Sequence, residues 1–261
     1  MIDDGALWEA ADSLLRAARE RRPIPPLTDR WPELTADEGY RIQQHVVRAR
    51  LDAGERVVGY KVGLTSRAMQ EMMGVDQPDY GPILSTMLAF DGDAVPTSDL
   101  IQPRVEAEIA FVLADALEGP GVSPLDVIRA TAGVVAAIEV IDSRIEGWRI
   151  RLPDTIADLA SSARVVLAGH LVPIDGFDLR LVGCTLERNG EVVATGAGAA
   201  ALGNPAHAVA WAANTLGALG VRLEPGHVVM PGALHAAVPA EAGDVFTASF
   251  DRLGPVTVRF V

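Results

Sequence analysis

Three glutamates carry the chemistry that is legible in this chain. Glu106 and Glu108 lie in Pro103-Arg104-Val105-Glu106-Ala107-Glu108-Ile109-Ala110-Phe111-Val112-Leu113, and Glu139 lies in Ala136-Ala137-Ile138-Glu139-Val140-Ile141-Asp142. The first run alternates, with Val105, Ala107, Ile109, Phe111 and Leu113 on one side and both acids on the other. A two-residue period is the period of a strand, which puts the two carboxylates on one face, roughly 7 Å apart at Cα. On a helix they would point about 200° apart and could not act together. Glu139 follows Val134-Val135-Ala136-Ala137-Ile138, which reads as a buried strand. A lone buried carboxylate takes up a proton or finds a partner. Three converging carboxylates repel one another unless a cation sits between them, and hard oxygen ligands favour Mg²⁺, Mn²⁺ or Ca²⁺ over zinc. The same spacing is also that of a solvated outer face with arginine partners, and the distance from Glu139 to the pair is not written in the sequence.

The elements that must position these acids follow from periodicity and punctuation. Residues 6–20 read as a helix with Leu7, Ala11, Leu14, Leu15 and Ala18 on one stripe, ended by Pro23, Pro25 and Pro26. Thr35-Ala36-Asp37-Glu38 has the form of a capping box. The helix it starts runs to about Ala53, with Tyr40, Val47 and Leu51 expected on its apolar face and Gly54 as its stop. From Val57 onward, short apolar segments alternate with Gly, Pro and Asp turns, a β-rich pattern. Asn189-Gly190 between two apolar runs predicts a tight hairpin. A helix is expected over 205–219 behind Asn204-Pro205, and two closing strands over Val245–Phe250 and Val256–Val261.

Composition excludes several classes. The chain has 261 residues, 49% of them apolar, enough for one large domain with a full core. A net charge of −13 argues against nucleic-acid or anionic-membrane partners. The single cysteine, Cys184, permits no internal disulfide and reads as buried strand. Met1-Ile2-Asp3-Asp4-Gly5 has no signal pattern, and no apolar run approaches the roughly 20 residues of a membrane helix, so a soluble, cytoplasmic protein is expected. Gly196-Ala197-Gly198-Ala199-Ala200-Ala201 matches a loose dinucleotide loop, but it follows a hairpin strand and Asn204-Pro205 breaks any helix beginning there.

Other chemically capable residues are weaker signals. Lys61, in Gly59-Tyr60-Lys61-Val62-Gly63-Leu64-Thr65-Ser66, could move protons if buried, with a lowered pKa; local sequence alone favours a surface lysine beside a turn. Asp76 and Asp79 fall in what reads as a polar loop over 76–82. Asp154, Asp158, Ser161 and Ser162 read as caps or site residues, and the five histidines show no metal-ligand spacing.

Taken together, these segments resemble the 2-keto-4-pentenoate hydratase / 4-oxalocrotonate decarboxylase family of the fumarylacetoacetate hydrolase superfamily. The likeness rests on Gly59–Ser66, Gln77-Pro78-Asp79-Tyr80-Gly81, Gln102–Glu108, Ile138–Ile145, Asp154–Asp158 and Thr195–Ala200, in order along nearly the whole chain. It implies an α+β fold, with a helical N-terminal region (1–56) followed by a mixed β-roll catalytic core (57–261). It implies a divalent metal, Mg²⁺ or Mn²⁺, on Glu106, Glu108 and Glu139. It implies a 2-oxo or 2-hydroxy dienoate substrate, and a homo-oligomer able to associate with a related pathway enzyme. Lys61 would be the proton carrier or a carboxylate contact, Asp79 the general base or water-positioning group, and Ser162 a substrate contact. The implied reaction is hydration of a 2-hydroxypenta-2,4-dienoate, with 4-oxalocrotonate-type decarboxylation as the alternative. Gly147-Trp148-Arg149-Ile150 resembles the hydratases and Ala236-Ala237-Val238-Pro239 the decarboxylases. Leu159 stands where the family usually has Asn, which makes the pocket drier and leaves room for a bulkier or more apolar substrate; Pro231 stands in place of Ser in the turn before Gly232. Hydrolysis of a β-diketone would need a His–Glu water activator, and His45 is the only histidine in the N-terminal half. Retention of Lys61 and all three glutamates argues against a non-catalytic subunit.

Overall fold

The structure is a computed structural model and describes residues 2–261. Three helices come first: α1 (Asp4–Glu20), α2 (Leu27–Arg30) and α3 (Ala36–Asp52). The middle of the chain holds β1 (Val57–Gly63), α4 (Arg67–Met73), β2 (Asp79–Leu84), β3 (Leu88–Phe90), β4 (Ala94–Val95), β5 (Arg104–Leu113), α5 (Pro124–Ala130), β6 (Thr131–Ile141), α6 (Leu152–Ala157) and β7 (Ser162–Leu167). It closes with β8 (Gly183–Arg188), β9 (Glu191–Ala197), α7 (Pro205–Gly217), β10 (Val228–Met230), β11 (Val238–Pro239), β12 (Val245–Phe250) and β13 (Gly254–Phe260).

The strands form two sheets. One runs β2-β1-β10-β5-β6-β7-β3, with β11 paired to β5; the other runs β4-β13-β12-β8-β9. The alternation read in the sequence sorts the faces of the larger sheet. Val105, Ala107, Ile109 and Phe111 of β5 join Ala136, Ile138 and Val140 of β6 in a core shared with Phe246, Val256 and Phe260 of the smaller sheet. The opposite face carries Ala110, Val135 and Ala137 and packs with Leu7 and Leu14 of α1 and Ile42 and Val46 of α3. Glu106, Glu108 and Glu139 share the parity of this helix-covered face, at its end.

Local rules account for most boundaries. Thr35 and Glu38 form the capping box reciprocally, and Asn204 caps α7 with Pro205 at its first position. Asn189 (φ 54°) and Gly190 (φ 84°) make the tight turn between β8 and β9. Three expectations need correction. The fully buried stripe of α3 is Glu38, Gly39, Ile42, Gln43 and Val46; Tyr40 and Val47 pack half-buried against the cores as expected, while Leu51 is exposed. Gln43 turns inward because its amide donates to the Tyr80 and Ile156 carbonyls at 3.0 and 2.8 Å, satisfying backbone that would otherwise be buried unpaired. On α1 the buried alanines are Ala10, Ala11 and Ala17, and Ala18 faces outward. The polar loop expected over 76–82 becomes strand at Asp79, and every residue of β2 is buried. Pairing along β1, from Gly63↔Asp79 to Gly59↔Ile83, overrides the turn-forming composition.

Candidate metal centre and active site

The register of β5 and β6 does what spacing alone could not. Glu106 lies directly opposite Glu139, and Glu108 opposite Ala137. Like charges directly across an antiparallel pair repel. One oxygen from each of Glu106, Glu108 and Glu139 comes within 4.8 Å of the others. Glu108 and Glu139 have no exposed surface, and Glu106 is partly open. Glu108 Oε2 accepts from the Gly232 N–H at 2.8 Å, while Glu108 Oε1 and both oxygens of Glu139 have no hydrogen-bond donor. Buried carboxylate oxygens without donors are costly, and they face one another here. Oxygens around Mg²⁺ at about 2.1 Å stand at most about 4.2 Å apart, so the cluster needs only a small contraction to enclose such an ion. The donor set therefore fits a hard divalent cation.

Lys61 is a member of this cluster. It lies on β1, 5% exposed, which overturns the surface position expected from its local sequence. Its Nζ is 3.4 Å from Glu139 Oε2 and donates to the Ala160 carbonyl at 3.0 Å. Burial opposes its charge, but Glu139, Asp79, Glu106 and Glu108 together outweigh burial and hold its pKa above the ordinary value. The lowered pKa expected for a buried lysine is thus reversed in sign. Burial also pushes up the Asp79 carboxyl, with Lys61 opposing and Glu139 adding. Glu106 is pushed up to about 7, by burial and then by Glu139. Glu108 rises well above the carboxylate range, through burial, Glu139 and Glu106. Four carboxylates against one ammonium leave a formal charge of −3, and a divalent cation would bring it to −1.

The surrounding backbone is shaped to this purpose. A Cβ added at Gly63 would fall 2.2 Å from Asp79 Oδ1 and 3.4 Å from Lys61 Nζ, so the missing side chain keeps that space open. Asp79 Oδ1 itself has no hydrogen-bond partner. Leu159, Ala160 and Ser161 follow one another at φ 56°, 50° and 56°. Three consecutive non-glycine residues in the left-handed region cost roughly 1 kcal/mol or more each. This turn points the Ala160 carbonyl at Lys61 and is tied by Asp142 N–H to the Ser161 carbonyl at 2.8 Å. Arg144, buried and ion-paired with Asp158, holds the turn from behind and also donates to the Ser162 carbonyl at 3.1 Å.

The structure thus brings Lys61, Asp79, Glu106, Glu108 and Glu139 together. Ser162 stands apart in its contacts. Its Oγ is buried without a partner, and it borders a cleft of about 400 Å³ with Leu14, Val46, Arg144 and Leu159. Leu159 packs into the core shared with α1 and α3. Asp154 serves structure, accepting from Thr28 N, Thr28 Oγ1 and Arg151 N. Cys184 is buried in β8, with burial pushing its thiol up to about 11, so it is not a nucleophile at neutral pH.

Sequence reasoning singled out Pro231 and Ala236–Pro239 but missed the hold of segment 231–239 on β5. Gly232 holds Glu108, Leu234 N–H donates to the Ala107 carbonyl at 3.0 Å, and His235 Nε2 accepts from Ala107 N–H at 3.1 Å. This segment is stapled to β5 between the two glutamates, and β11 continues the pairing at Val105. Gly232 sits at φ 115°, and its Pro-Gly sequence signals a turn but not the turn's target.

Comparison with known proteins agrees with this geometry. A family model described as "Fumarylacetoacetate (FAA) hydrolase C-terminal" matches residues 57–261. The chain is 43% identical to a 2-hydroxyhexa-2,4-dienoate hydratase of Comamonas testosteroni over 262 residues, covering 100% of this chain and 99% of the relative. It is 46% identical to a 2-keto-4-pentenoate hydratase of Burkholderia vietnamiensis over 260 residues, with the same coverage. Among solved structures it resembles the 4-oxalocrotonate decarboxylase from Pseudomonas putida G7 complexed with magnesium and adipate. That match has a TM-score of 0.97 at 38% identity, covering 100% of this chain and 99% of the other.

Proposed function

Because the chain belongs to the fumarylacetoacetate hydrolase family, and within it to the hydratase and decarboxylase branch, we propose that it hydrates a 2-hydroxy-2,4-dienoate. The product is a 4-hydroxy-2-oxoalkanoate. The enzyme is a lyase with a divalent cofactor of the magnesium type. One observation carries the assignment of the site: donor-less buried carboxylate oxygens converge beside a buried lysine, in a chain aligned end to end with dienoate hydratases.

Glu106, Glu108 and Glu139 would hold the cation, which when bound supplies positive charge to an oxyanion developing on the substrate. Lys61 is kept as ammonium; its Nζ donates to the Ala160 carbonyl and is ion-paired with Glu139 at 3.4 Å. The N–H donors not used by Ala160 are available to the substrate's carboxylate or 2-oxygen. Asp79, with its raised pKa and unpartnered Oδ1, is the group able to exchange a proton with the reacting carbons. Loss of the 2-hydroxyl proton and protonation at C5 give an α,β-unsaturated ketone. Water then adds across C3 and C4, oxygen to C4 and hydrogen to C3, for a net gain of one water. Asp79 Oδ1 holds the incoming water or takes its proton; a substrate contact for Ser162 Oγ is supported by the family resemblance and by its lack of a partner, not by contact with the acid cluster.

Decarboxylation of a 4-oxalocrotonate-type acid is the second reading, favoured by the likeness to the decarboxylase structure. A homo-oligomer in the cytoplasm belongs to the same reading. It is supported by the open edge of β9, where Val192 and Val193 are exposed, and by the lone buried cysteine. Among the described residues, no helix is long and apolar enough to cross a membrane.

The test is a UV assay on EDTA-stripped protein given Mg²⁺ and freshly generated 2-hydroxypenta-2,4-dienoate. Metal-dependent loss of dienol absorbance, with 4-hydroxy-2-oxopentanoate formed, is the expected result. No hydration, with CO₂ released from 4-oxalocrotonate, would replace the hydratase by the decarboxylase.

A further inference from the structure

The helical N-terminal region leaves a gap where it meets the β-rich core. A cleft of about 400 Å³ lies there between α1, α3, the 99–101 segment and the start of β7. None of Lys61, Asp79, Glu106, Glu108 and Glu139 lines it, so it is separate from the metal centre. Its walls include Leu14, Val46, Met87, Leu100 and Leu159, all buried and apolar. The volume falls in the range of small-ligand sites.

The charge of this cleft is opposite to that of the chain. Five arginines line it against three aspartates, in a protein with 22 basic and 35 acidic residues. Three of the arginines are engaged. Arg144 is ion-paired with Asp158 and donates to the Asp142 and Ser162 carbonyls. Arg50 is bidentate to Glu55 at 2.6 and 2.8 Å, and Arg19 stands in solvent 3.6 Å from Glu20. The Asp142 carboxylate accepts from the Ile101 and Gln102 N–H groups. Arg21 and Arg164 are left to share one carboxylate, Asp99, at 3.4 and 3.8 Å. Each also donates through Nη1 to a backbone carbonyl, Ser98 at 2.6 Å for Arg21 and Ala163 at 2.9 Å for Arg164. Among the described residues, Nε and Nη2 of both make no hydrogen bond. Two guanidiniums on one aspartate leave a positive charge unmatched.

Two further observations point to a ligand. Arg21 closes α1 in the left-handed conformation, at φ 52°. A glycine would end the helix there without strain, and the arginine instead delivers a guanidinium to the cleft. Ser162 borders the same cleft, fully buried, and its Oγ has no hydrogen-bond partner. A buried hydroxyl left alone is costly. Resemblance alone gives this hydroxyl to the substrate; in the fold it borders the cleft, and an occupant would supply the partner it lacks.

We infer that this cleft binds a small monocarboxylic acid, its carboxylate between Arg21 and Arg164 and its apolar body against Leu14, Val46 and Leu100. The inference is independent of the dienoate reading, since it needs neither the metal nor turnover.

Calorimetric titration with hexanoate, on the Mg²⁺-loaded and on the EDTA-stripped protein, tests it. Affinity should agree within about twofold between the two, because the metal's charge is screened from a site that shares none of its ligands. Propanoate should bind at least about tenfold more weakly, with three fewer methylenes buried. Uncharged hexanamide should also be at least about tenfold weaker, having no charge for the guanidiniums. Arg21 and Arg164 are both partly exposed, so the double variant Arg21→Gln/Arg164→Gln should fold. It should lower hexanoate affinity by about tenfold at low salt. Asp99→Asn removes the competing carboxylate and should raise that affinity by about threefold, a change of sign that a damaged fold cannot mimic. Absence of saturable binding, binding that requires Mg²⁺, or hexanamide binding as tightly as hexanoate would overturn the inference. So would a hexanoate affinity unchanged in both the double variant and Asp99→Asn.

Discussion

Replacing Lys61 by methionine keeps the alkyl stem and removes the ammonium from among four carboxylates. Nζ lies 3.4 Å from Glu139 Oε2 in a site with almost no solvent. At an effective dielectric of about 20, that single pair is worth about 5 kcal/mol of Coulomb energy. The variant no longer bears the cost of burying the ammonium, which offsets part of this. A net loss of about 3 kcal/mol remains, typical of breaking a buried pair from one side. The loss should be full in EDTA at pH 7.5, where the acids are most ionised. It should shrink to less than half in saturating Mg²⁺, because the divalent charge then neutralises the same oxygens. Urea unfolding under both conditions gives the difference directly, and in melting temperature it corresponds to roughly 6–12 °C for a chain of this size. Turnover should fall by about a hundredfold or more even with metal bound, since the donor facing the substrate is gone. An equal loss of stability with and without Mg²⁺, or none in EDTA, would refute the view of Lys61 as the resident counter-charge of this cluster.

Three further outcomes follow from the same geometry. Glu106 and Glu108 have folded pKa values above their unfolded ones, so between about pH 4.5 and 7 the folded apo protein binds more protons than the unfolded chain. Its stability should therefore fall as pH rises through that window, and excess Mg²⁺ should reverse the trend; a metal-free profile that rises to pH 7 contradicts the placement of these acids. Gly63→Ala should keep the fold but push Asp79 aside, lowering turnover by about tenfold or more with metal affinity nearly unchanged, as calorimetry and initial rates would report. Arg144→Met leaves Asp158 buried and unpaired behind the left-handed turn, which should cost about 3–5 kcal/mol in denaturant unfolding.

The sequence alone determined the local elements and much of the chemistry. Capping residues set the starts of α3 and α7, Asn189-Gly190 set a hairpin, and strict alternation put Glu106 and Glu108 on one face. These are signals carried within a few residues, where steric and hydrogen-bonding rules act directly. Only the tertiary structure decided that Glu139 lies opposite Glu106, because register is a property of two strands at once. Lys61 and Asp79 were misread locally, as a surface lysine and a loop acid, since their burial comes from the pairing of β1 with β2. The lysine's pKa likewise rises because four acids from three other strands converge on it, against the direction that burial alone would give. Leu159 offered no sign that it enters a left-handed turn whose Ala160 carbonyl holds Lys61, and Gly232 and His235 gave none of their hold on β5. Those contacts join residues about 100 or more apart in the chain, and only folding brings them within reach.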